Sequence, residues 1–384
     1  MSTALQPTAA EQALGVSLPS RRDEEWKWTD LKRMLTWPYR VSHTTDGKTV
    51  DRLVSASPFA GVTTHRVVIL NGRLDEGRSK LKGLAISVGA VSVDEADPLI
   101  DLNGRLNPQG LTLSFEGQVD VPVEIIFVTT GDNAVVASRL HVVVADGASA
   151  MLLESHVGAG EYLHNPLVTC HLGKGARLDR IKLECEDGEA QHLAQSVIAL
   201  GKDARLLDLT LTAGAQLSRQ NGNVVFIGEN ASARVNGSYL LKGKQHVDTR
   251  LLVDHRVPNC VSRELFKCVM QDQSRGIFQG KVIVRPNAQK TDGKQSSHAL
   301  LLSEAAEFDA KPELEIYADD VVCGHGTTCG DLNPDHLFYL MSRGIPKAEA
   351  RAMLVEAFVA EVIDMVENEA VRDVLLAQVR ERLA

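Results

Sequence analysis

A turn motif that returns at a nearly constant interval is the feature that most restricts how this chain can fold. The motif combines small residues with Gly, Asp, Asn or Lys. The four copies are ADGA at 145–148, GKGA at 173–176, GKDA at 201–204 and GENA at 228–231. Each is followed by alternating apolar residues, as in 204–211. A fixed period of about 28 residues is typical of a solenoid.

Two or three strands per period, with coils stacked at about 4.8 Å, would form a parallel β-helix. The alternative is an antiparallel sandwich, whose turn signals usually come every ~8–12 residues without a longer repeat. We therefore predict a mainly β chain with a right-handed parallel β-helix core over 106–332. We expect five leucines to point inward and fill its core: Leu178, Leu183, Leu206, Leu209 and Leu211.

Composition and charge narrow the class of protein. Hydrophobic residues make up 44% of the 384 residues and support a folded chain, whereas aromatics are only 4%. A net charge of −9 argues against nucleic acid as the main partner. We find no apolar run near ~18 residues and no secretory signal pattern, so we expect a cytoplasmic protein without membrane contact. Its 6 irregularly spaced cysteines are expected to be free thiols.

The two flanks of the core have different patterns. Residues 1–105 combine helix-like and strand-like segments, which predicts an N-terminal α+β domain in which Trp26 is a packing anchor. Residues 333–384 predict a C-terminal helical domain. Asn333 is suited to cap its first helix, and Gly344 to end it.

The first of these helices carries three consecutive apolar residues, Phe338, Tyr339 and Leu340. One helix cannot bury all three against a single neighbour, so some should face a second surface, such as a docked partner. A three-helix cap that closes on itself is the alternative, and the spacing alone does not choose between them.

Just before this helix lies a candidate for ligand chemistry, Cys323 and His325 in the segment VVCGHGTTCG. In an extended strand, Val321, Cys323, His325, Thr327 and Cys329 would share one face, so the thiol and the imidazole could reach one ion. The two residues do not form a four-ligand zinc pattern, and a buried structural cysteine is the alternative.

Other common sites are not found in the sequence. It has no GxxxxGK[ST] or GxGxxG phosphate loop, so we expect no bound nucleotide. It has no GxSxG or HExxH motif. Histidines within predicted strands, including His156 and His192, are interpreted as structural residues.

Three segments of the sequence resemble a known family. They are LPSRRDEEWKWTDLKRM at 18–34, SRELFKCVMQDQSRGIFQGKVIV at 262–284, and the long block 287–346 that contains CGHG. The chain resembles the SufD family and, more distantly, its paralogue SufB, both of the SUF iron–sulfur cluster assembly system. The absence of any cysteine before Cys170 favours SufD, as does Gly326-Thr327 where SufB chains have Glu-Ala after the histidine.

The resemblance implies a scaffold and not an enzyme. It implies a heterodimer with a SufB-like paralogue through the ends of the two β-helices, and a transient iron–sulfur cluster shared at that interface. His325 matches the family's ligand, and Cys323 matches the accompanying cysteine. An ABC-type ATPase, SufC, is expected to dock on 334–366. The docking residues predicted there are Phe338, Tyr339, Leu340, Arg343, Gly344 and Ile345. Whether the chain forms a homodimer when the paralogue is absent stays open at the level of sequence.

Two alternatives to this function stay open at the level of sequence. One is a β-helix enzyme acting on carbohydrate, which would need acids and aromatics clustered along one face. The other is an assembly subunit that has no ligand of its own. The scaffold function is our principal hypothesis.

Overall fold

Strands dominate the chain, because β-branched and leucine residues alternate with polar ones between the Gly-, Asn- and Asp-rich turns. The computed structural model describes residues 7–41, 45–91, 93 and 97–383. Over these residues the strands run, in chain order: β1 His65–Leu70, β2 Arg73–Leu74, β3 Ala85–Ala90, β4 Gln109–Phe115, β5 Val123–Thr130, β6 Ala134–Val144, β7 Ser149–Ala159, β8 Tyr162–Leu172, β9 Arg177–Glu184, β10 Gln191–Leu200, β11 Arg205–Thr212, β12 Leu217–Phe226, β13 Ser232–Leu241, β14 His246–His255, β15 Val261–Met270, β16 Arg275–Val284, β17 Asp292–Leu301, β18 Glu307–Ile316 and β19 Val322–Gly330.

Successive strands alternate between two sheets, and this makes the molecule a parallel β-solenoid of about 8 turns. Sheet A contains β3 and the even-numbered strands from β4 to β18. Sheet B contains β1, β2 and the odd-numbered strands from β5 to β19. Each coil therefore has two strands, and Arg177 pairs with Arg205 at the equivalent position of the next coil. The solenoid predicted from the turn repeat is confirmed.

The space between the two sheets, here called the lumen, holds an apolar core that includes Leu178 and Leu206 as predicted. The inward orientation predicted for Leu183, Leu209 and Leu211 is wrong, because all three lie on the outer face of sheet B. Both faces of the sheet are buried in this region, so hydrophobicity alone could not identify the inner face. Alternation along β9 instead places charged residues in the lumen beyond Leu178.

Short helices of the N-terminal part cover the outer face of sheet A. They are α1 Ala9–Leu14, α2 Leu31–Met34 and α4 Pro98–Leu106, while α3 Gly47–Ser55 packs on sheet B. Trp26 is buried, and the guanidinium carbon of Arg219 on β12 lies 4.3 Å from its ring centroid. The prediction that Trp26 is a packing anchor is confirmed. Within 1–105, β1 and β3 already pair with solenoid strands, and the three-domain division stays a prediction.

Three helices follow the last strand: α5 Pro334–Ser342, α6 Lys347–Ile363 and α7 Glu369–Leu383. Val359 and Val362 of α6 and Leu375 of α7 pack in one apolar cluster with the outward leucines of sheet B. The helices therefore lie along the side of the solenoid, and the alternative of a cap closed on itself does not hold for α6 and α7. As a result, these two helices leave the end of the stack open.

Candidate ligand and partner site at the last coil

The last coil, formed by β18 and β19, ends both sheets. In the described part of the chain β18 pairs with β16 alone and β19 with β17 alone, so each has one unpaired edge. The backbone N–H of Val322 donates to the carbonyl of Thr291 on the β17 side. Because residues of a parallel strand bond alternately to either side, the N–H groups of Cys323, His325 and Thr327 point to the open edge. Unpaired groups of this kind are a template for another strand.

Four side chains of β19, here called the edge row, occupy the lumen-facing positions at this open end. They are Cys323, His325, Thr327 and Cys329, in register with Gly293, Gln295, Ser297 and Ala299 of β17. The hydroxyls of Thr327 and Ser297 lie 3.0 Å apart and link the two strands. His325 and Cys329 are exposed, and Cys323 is half-buried. The strand predicted for this motif is present, with the imidazole exposed.

The opposite face of β19 carries Gly324 and Gly326. A Cβ built on either glycine would meet no other atom within 4 Å. The small residues thus leave the outer side of the strand unobstructed, which suits the close approach of another backbone.

The edge row alone does not form a complete metal site. Among the described residues, no group of three or more ligand-type side chains close enough to share an ion includes Cys323 or His325. Burial raises the pKa of the Cys323 thiol and of the Cys329 thiol, so both are protonated at neutral pH unless a metal displaces the proton. Any ion held here by Cys323 and His325 would need further ligands.

Directly beneath His325 in the ladder lie Gln295 and then Glu264, two buried polar residues. Neither carboxylate oxygen of Glu264 and neither amide atom of Gln295 has a hydrogen-bond partner among the described residues. Burial raises the pKa of Glu264 to about 8, although Ser262 and Arg263 act in the opposite direction. The floor of the open end is therefore polar, buried and close to neutral.

Helix α5 presents a second exposed surface next to β19. It begins with the side chain of Asn333 accepting from the N–H groups of Asp335 and His336, and none of its residues is buried. Phe338 is 73% and Tyr339 55% exposed, which is unusual for aromatic residues.

The other predicted docking residues surround this pair. Leu340 and Ile345 are half-buried, and Gly344 has a φ of +85°, which favours glycine. The Arg343 guanidinium lies 4.9 Å from the Tyr339 ring centroid and donates to its hydroxyl at 2.8 Å. The structure thus brings the predicted residues together on one short helix and the turn after it.

Sequence reasoning missed one group of buried, ligand-type side chains. His156 and His192, interpreted as separate structural residues, lie together with His164 inside the lumen. The signal was available in the spacing, because His164 and His192 are Cα partners on neighbouring coils and are separated by one repeat period. The repeat period itself could have identified the pair.

The fold and the edge row define a parallel β-solenoid with ligand-type side chains at an open end. Comparison with known proteins agrees with this class: residues 127–358 match the family model described as "SUF system FeS cluster assembly, SufBD core domain". The chain is 30% identical to the iron–sulfur cluster assembly protein SufD of Escherichia coli K12, over 97% of this chain and 91% of that protein.

Similarity extends to other organisms. An iron–sulfur cluster assembly SufBD family protein of Mycobacterium leprae is 31% identical over 95% of this chain and 91% of its own length. The chloroplastic protein ABCI7 of Arabidopsis thaliana is 28% identical over 96% and 83%. The chain belongs to the SufB/SufD family of the SUF system, as a SufD-type member, and its role lies in iron–sulfur cluster assembly.

The family resemblance found in the sequence is thereby confirmed. None of the helices in the described ranges is long and apolar enough to cross a membrane.

Proposed function

We propose that this chain is a non-catalytic scaffold subunit that joins a SufB-type paralogue through its last coil. His325 and Cys323 contribute ligands to a nascent iron–sulfur cluster at that junction, and the cluster is cargo that is later released. A SufC-type ATPase docks on α5 and the turn that follows it. When the paralogue is absent, a second copy of this chain occupies the same edge.

The observation that carries this proposal is the combination of an unpaired strand edge with the edge row. The backbone of β19 offers outward N–H groups at the same residues whose side chains include the imidazole and the thiol. A strand from another subunit that pairs with this edge would therefore bring its own side chains next to His325 and Cys323.

The ligand chemistry supports a shared and temporary site. Imidazole nitrogen and thiolate sulfur both bind iron, and mixed ligation tunes a cluster differently from four cysteines. This chain supplies too few ligands at the last coil to complete a site by itself. The remaining ligands would come from the paralogue, so the cluster would depend on the heterodimer.

The exposed apolar surface of α5 supports the docking of a further protein. Phe338 and Tyr339 project from a helix that packs mainly against α6 and buries none of its own residues. Aromatic residues next to an arginine are typical of the energetically important part of an interface. Arg343, held on the Tyr339 ring, gives this surface that composition.

The two alternatives have less support. A carbohydrate enzyme would need an exposed sheet face, but apolar residues of both outer faces are packed under terminal helices. A subunit without a ligand of its own would behave normally after loss of both Cys323 and His325, and this outcome would favour it over our proposal.

Edge pairing is tested by Thr327→Pro, because proline removes the outward N–H and breaks no backbone hydrogen bond to β17, although the hydroxyl contact with Ser297 is lost. Thr327→Val is the matched control, since it loses the hydroxyl but keeps the N–H. We expect the proline variant to recover the paralogue at about one tenth of the wild-type yield or less in tagged co-purification, and the valine variant to recover it normally. Equal recovery by both variants would contradict pairing through this edge.

A further inference from the structure

A cluster of fully buried imidazoles lies in the lumen, in coils far from the edge row. His156 is on β7, His164 on β8 and His192 on β10, and each is at most 1% exposed. One ring nitrogen from each histidine lies within 4.8 Å of one from either of the others. Glu186, just after β9, is 4% exposed and lies against two of the three rings. These four residues are here called the lumen cluster.

The solenoid backbone fixes this arrangement. His164 and His192 are Cα partners on adjacent strands of sheet A, and His156 pairs with Glu184 on sheet B. Partners on adjacent parallel strands are about 4.8 Å apart, so the ladder stacks the rings without relying on flexible loops. Phe127 also stacks on His156, with centroids 4.6 Å apart and planes 5° from parallel. A preorganised set of donors results.

In both His164 and His192, one ring nitrogen contacts a neighbouring polar side chain and the other faces Glu186. Nε2 of His164 lies 3.0 Å from the Ser138 hydroxyl, and its Nδ1 lies 3.6 Å from Oε1 of Glu186. Nε2 of His192 lies 2.9 Å from Nζ of Lys182, and its Nδ1 lies 2.7 Å from Oε2 of Glu186. In metal-binding histidines one ring nitrogen holds an outer partner while the other faces the ion. An ion that binds between His192 and Glu186 would replace the proton that Nδ1 of His192 shares with that carboxylate.

The polar atoms of the cluster have few partners outside it. Within the described residues neither ring nitrogen of His156 has a hydrogen-bond partner, and Nδ1 of His164 and of His192 have only the oxygens of Glu186 opposite them. Buried polar atoms without a partner are rare and costly, and a bound ion would satisfy one of those of His156.

The charges around the rings favour a cation at this point. His156 lies 3.7 Å from Glu154, and Glu184 and Glu186 lie beside His192. The buried cations next to these carboxylates are Lys182 and Arg180, and Arg180 is also paired with Asp208. Four buried carboxylates against two buried cations make the surroundings negative.

Space for a further ligand adjoins the cluster. A cavity of about 50 Å³ runs inside the solenoid and is lined by His156, Lys182 and Glu154 at one side and by Tyr239 and Phe266 at the other. A water molecule needs about 10–15 Å³ by the same measure, so the cavity can hold several. A bound ion could complete its coordination with water from this cavity.

We propose that the lumen cluster binds one divalent transition-metal ion through His156, His164, His192 and Glu186. Three imidazole donors favour ions such as Fe²⁺, Co²⁺ and Zn²⁺ over Mg²⁺ and Ca²⁺, which prefer oxygen ligands alone. From β9 to β19 sheet B advances by five strands, or about 24 Å, so this ion is separate from any cluster at the edge row. The proposal does not depend on the function proposed for the last coil.

Co²⁺ is a suitable probe, because its visible absorption reports coordination number and ligand type. The full chain is stripped of metal, loaded anaerobically with Co²⁺ either as folded protein or during refolding, and desalted. We expect about one Co²⁺ per chain by mass spectrometry of the metal, with a four- or five-coordinate spectrum that lacks thiolate charge-transfer bands. Failure to retain stoichiometric Co²⁺ by either route would overturn the proposal.

Substitutions then assign the site. His164→Gln/His192→Gln should weaken Co²⁺ binding more than about tenfold, whereas His171→Gln, an exposed histidine on the same strand as His164, should not. Glu186→Gln is of the same shape and provides the same test should the double variant fail to fold. Wild-type binding by a folded cluster variant would refute the assignment.

A final variant distinguishes Co²⁺ binding at the lumen cluster from Co²⁺ binding at the edge row. Cys323→Ser/His325→Gln should keep the Co²⁺ and its spectrum, because neither residue belongs to the lumen cluster. Loss of the bound Co²⁺ in this variant would place the ion at the edge row and overturn the lumen site.

Discussion

Glu264→Gln should stabilise the protein, and the gain should grow as the pH rises. Glu264 lies on β15 beneath His325, is 2% exposed, and has a pKa raised by burial to about 8 from an ordinary value of 4.5. Between these values the folded protein keeps a proton that the unfolded chain has lost. The folded state is therefore favoured fully below pH 4.5, and this contribution is lost as the pH rises towards 8.

The size of the effect follows from these two values. At about 1.36 kcal/mol per pH unit, protonating Glu264 on folding at pH 7 costs about 3 kcal/mol, but at pH 5 it costs less than about 1 kcal/mol. Glutamine has the same shape and stays neutral. The stabilisation by Glu264→Gln should thus be about 2.5 kcal/mol larger at pH 7 than at pH 5.

Urea unfolding at the two pH values measures this difference. Glu304→Gln, at an exposed position in the turn before β18, is the control and should change the free energy of unfolding by less than about 0.5 kcal/mol at either pH. If Glu264→Gln had the same effect at pH 5 and pH 7, the pKa of Glu264 would not be raised in the folded protein. The description of a buried, neutral floor beneath His325 would then be wrong.

Two further predictions concern the helices at the two flanks. Phe338→Asp places a charge on the exposed face of α5 and should reduce recovery of the ATPase in co-purification by more than about tenfold. The control is Ile227→Asp, at a residue that is 45% exposed in the turn after β12, and it should not reduce recovery. Normal recovery with Phe338→Asp would refute docking on α5. Trp26→Ala removes the ring that packs against Arg219 and should lower the free energy of unfolding, measured by urea denaturation, by about 3–5 kcal/mol. A loss below about 1 kcal/mol would show that the N-terminal segment does not stabilise sheet A.

The repeat period could predict the fold because stacking needs equal coil lengths. The turns at 173–176 and 201–204 lie one above the other, and the N–H of Gly175 donates to the carbonyl of Lys202. The helices of the C-terminal part were equally predictable, since Asn333 and Gly344 occupy the expected cap positions. Local chemistry determines both features.

The inner and outer faces of the strands were not predictable in the same way. Leu209 and Leu206 look alike in sequence, but Leu209 packs under the C-terminal helices and Leu206 packs in the lumen. The choice depends on which elements cover sheet B, and that is a matter of tertiary packing. The repeat period could pair His164 with His192, but His156 and Glu186 join them only because the two sheets face each other across the lumen.

At the last coil the motif was visible, but its surroundings were not. The alternation in VVCGHGTTCG predicted the strand and the shared face of Cys323 and His325, and the structure has that strand as β19. The buried pair below it, Glu264 and Gln295, comes from two earlier coils and has no signature in the sequence. The roles of His325 and Cys323 as ligands stay predictions.

The central claim is tested most directly by the iron and acid-labile sulfide content of the assembled complex. The chain is co-expressed with SufB-type and SufC-type subunits and purified anaerobically as wild type, His325→Ala and His171→Ala. We predict that all three recover the same subunits, but that iron and sulfide fall by about tenfold only in His325→Ala. Wild-type iron and sulfide in the His325→Ala complex would contradict a ligand role for this residue at the last coil.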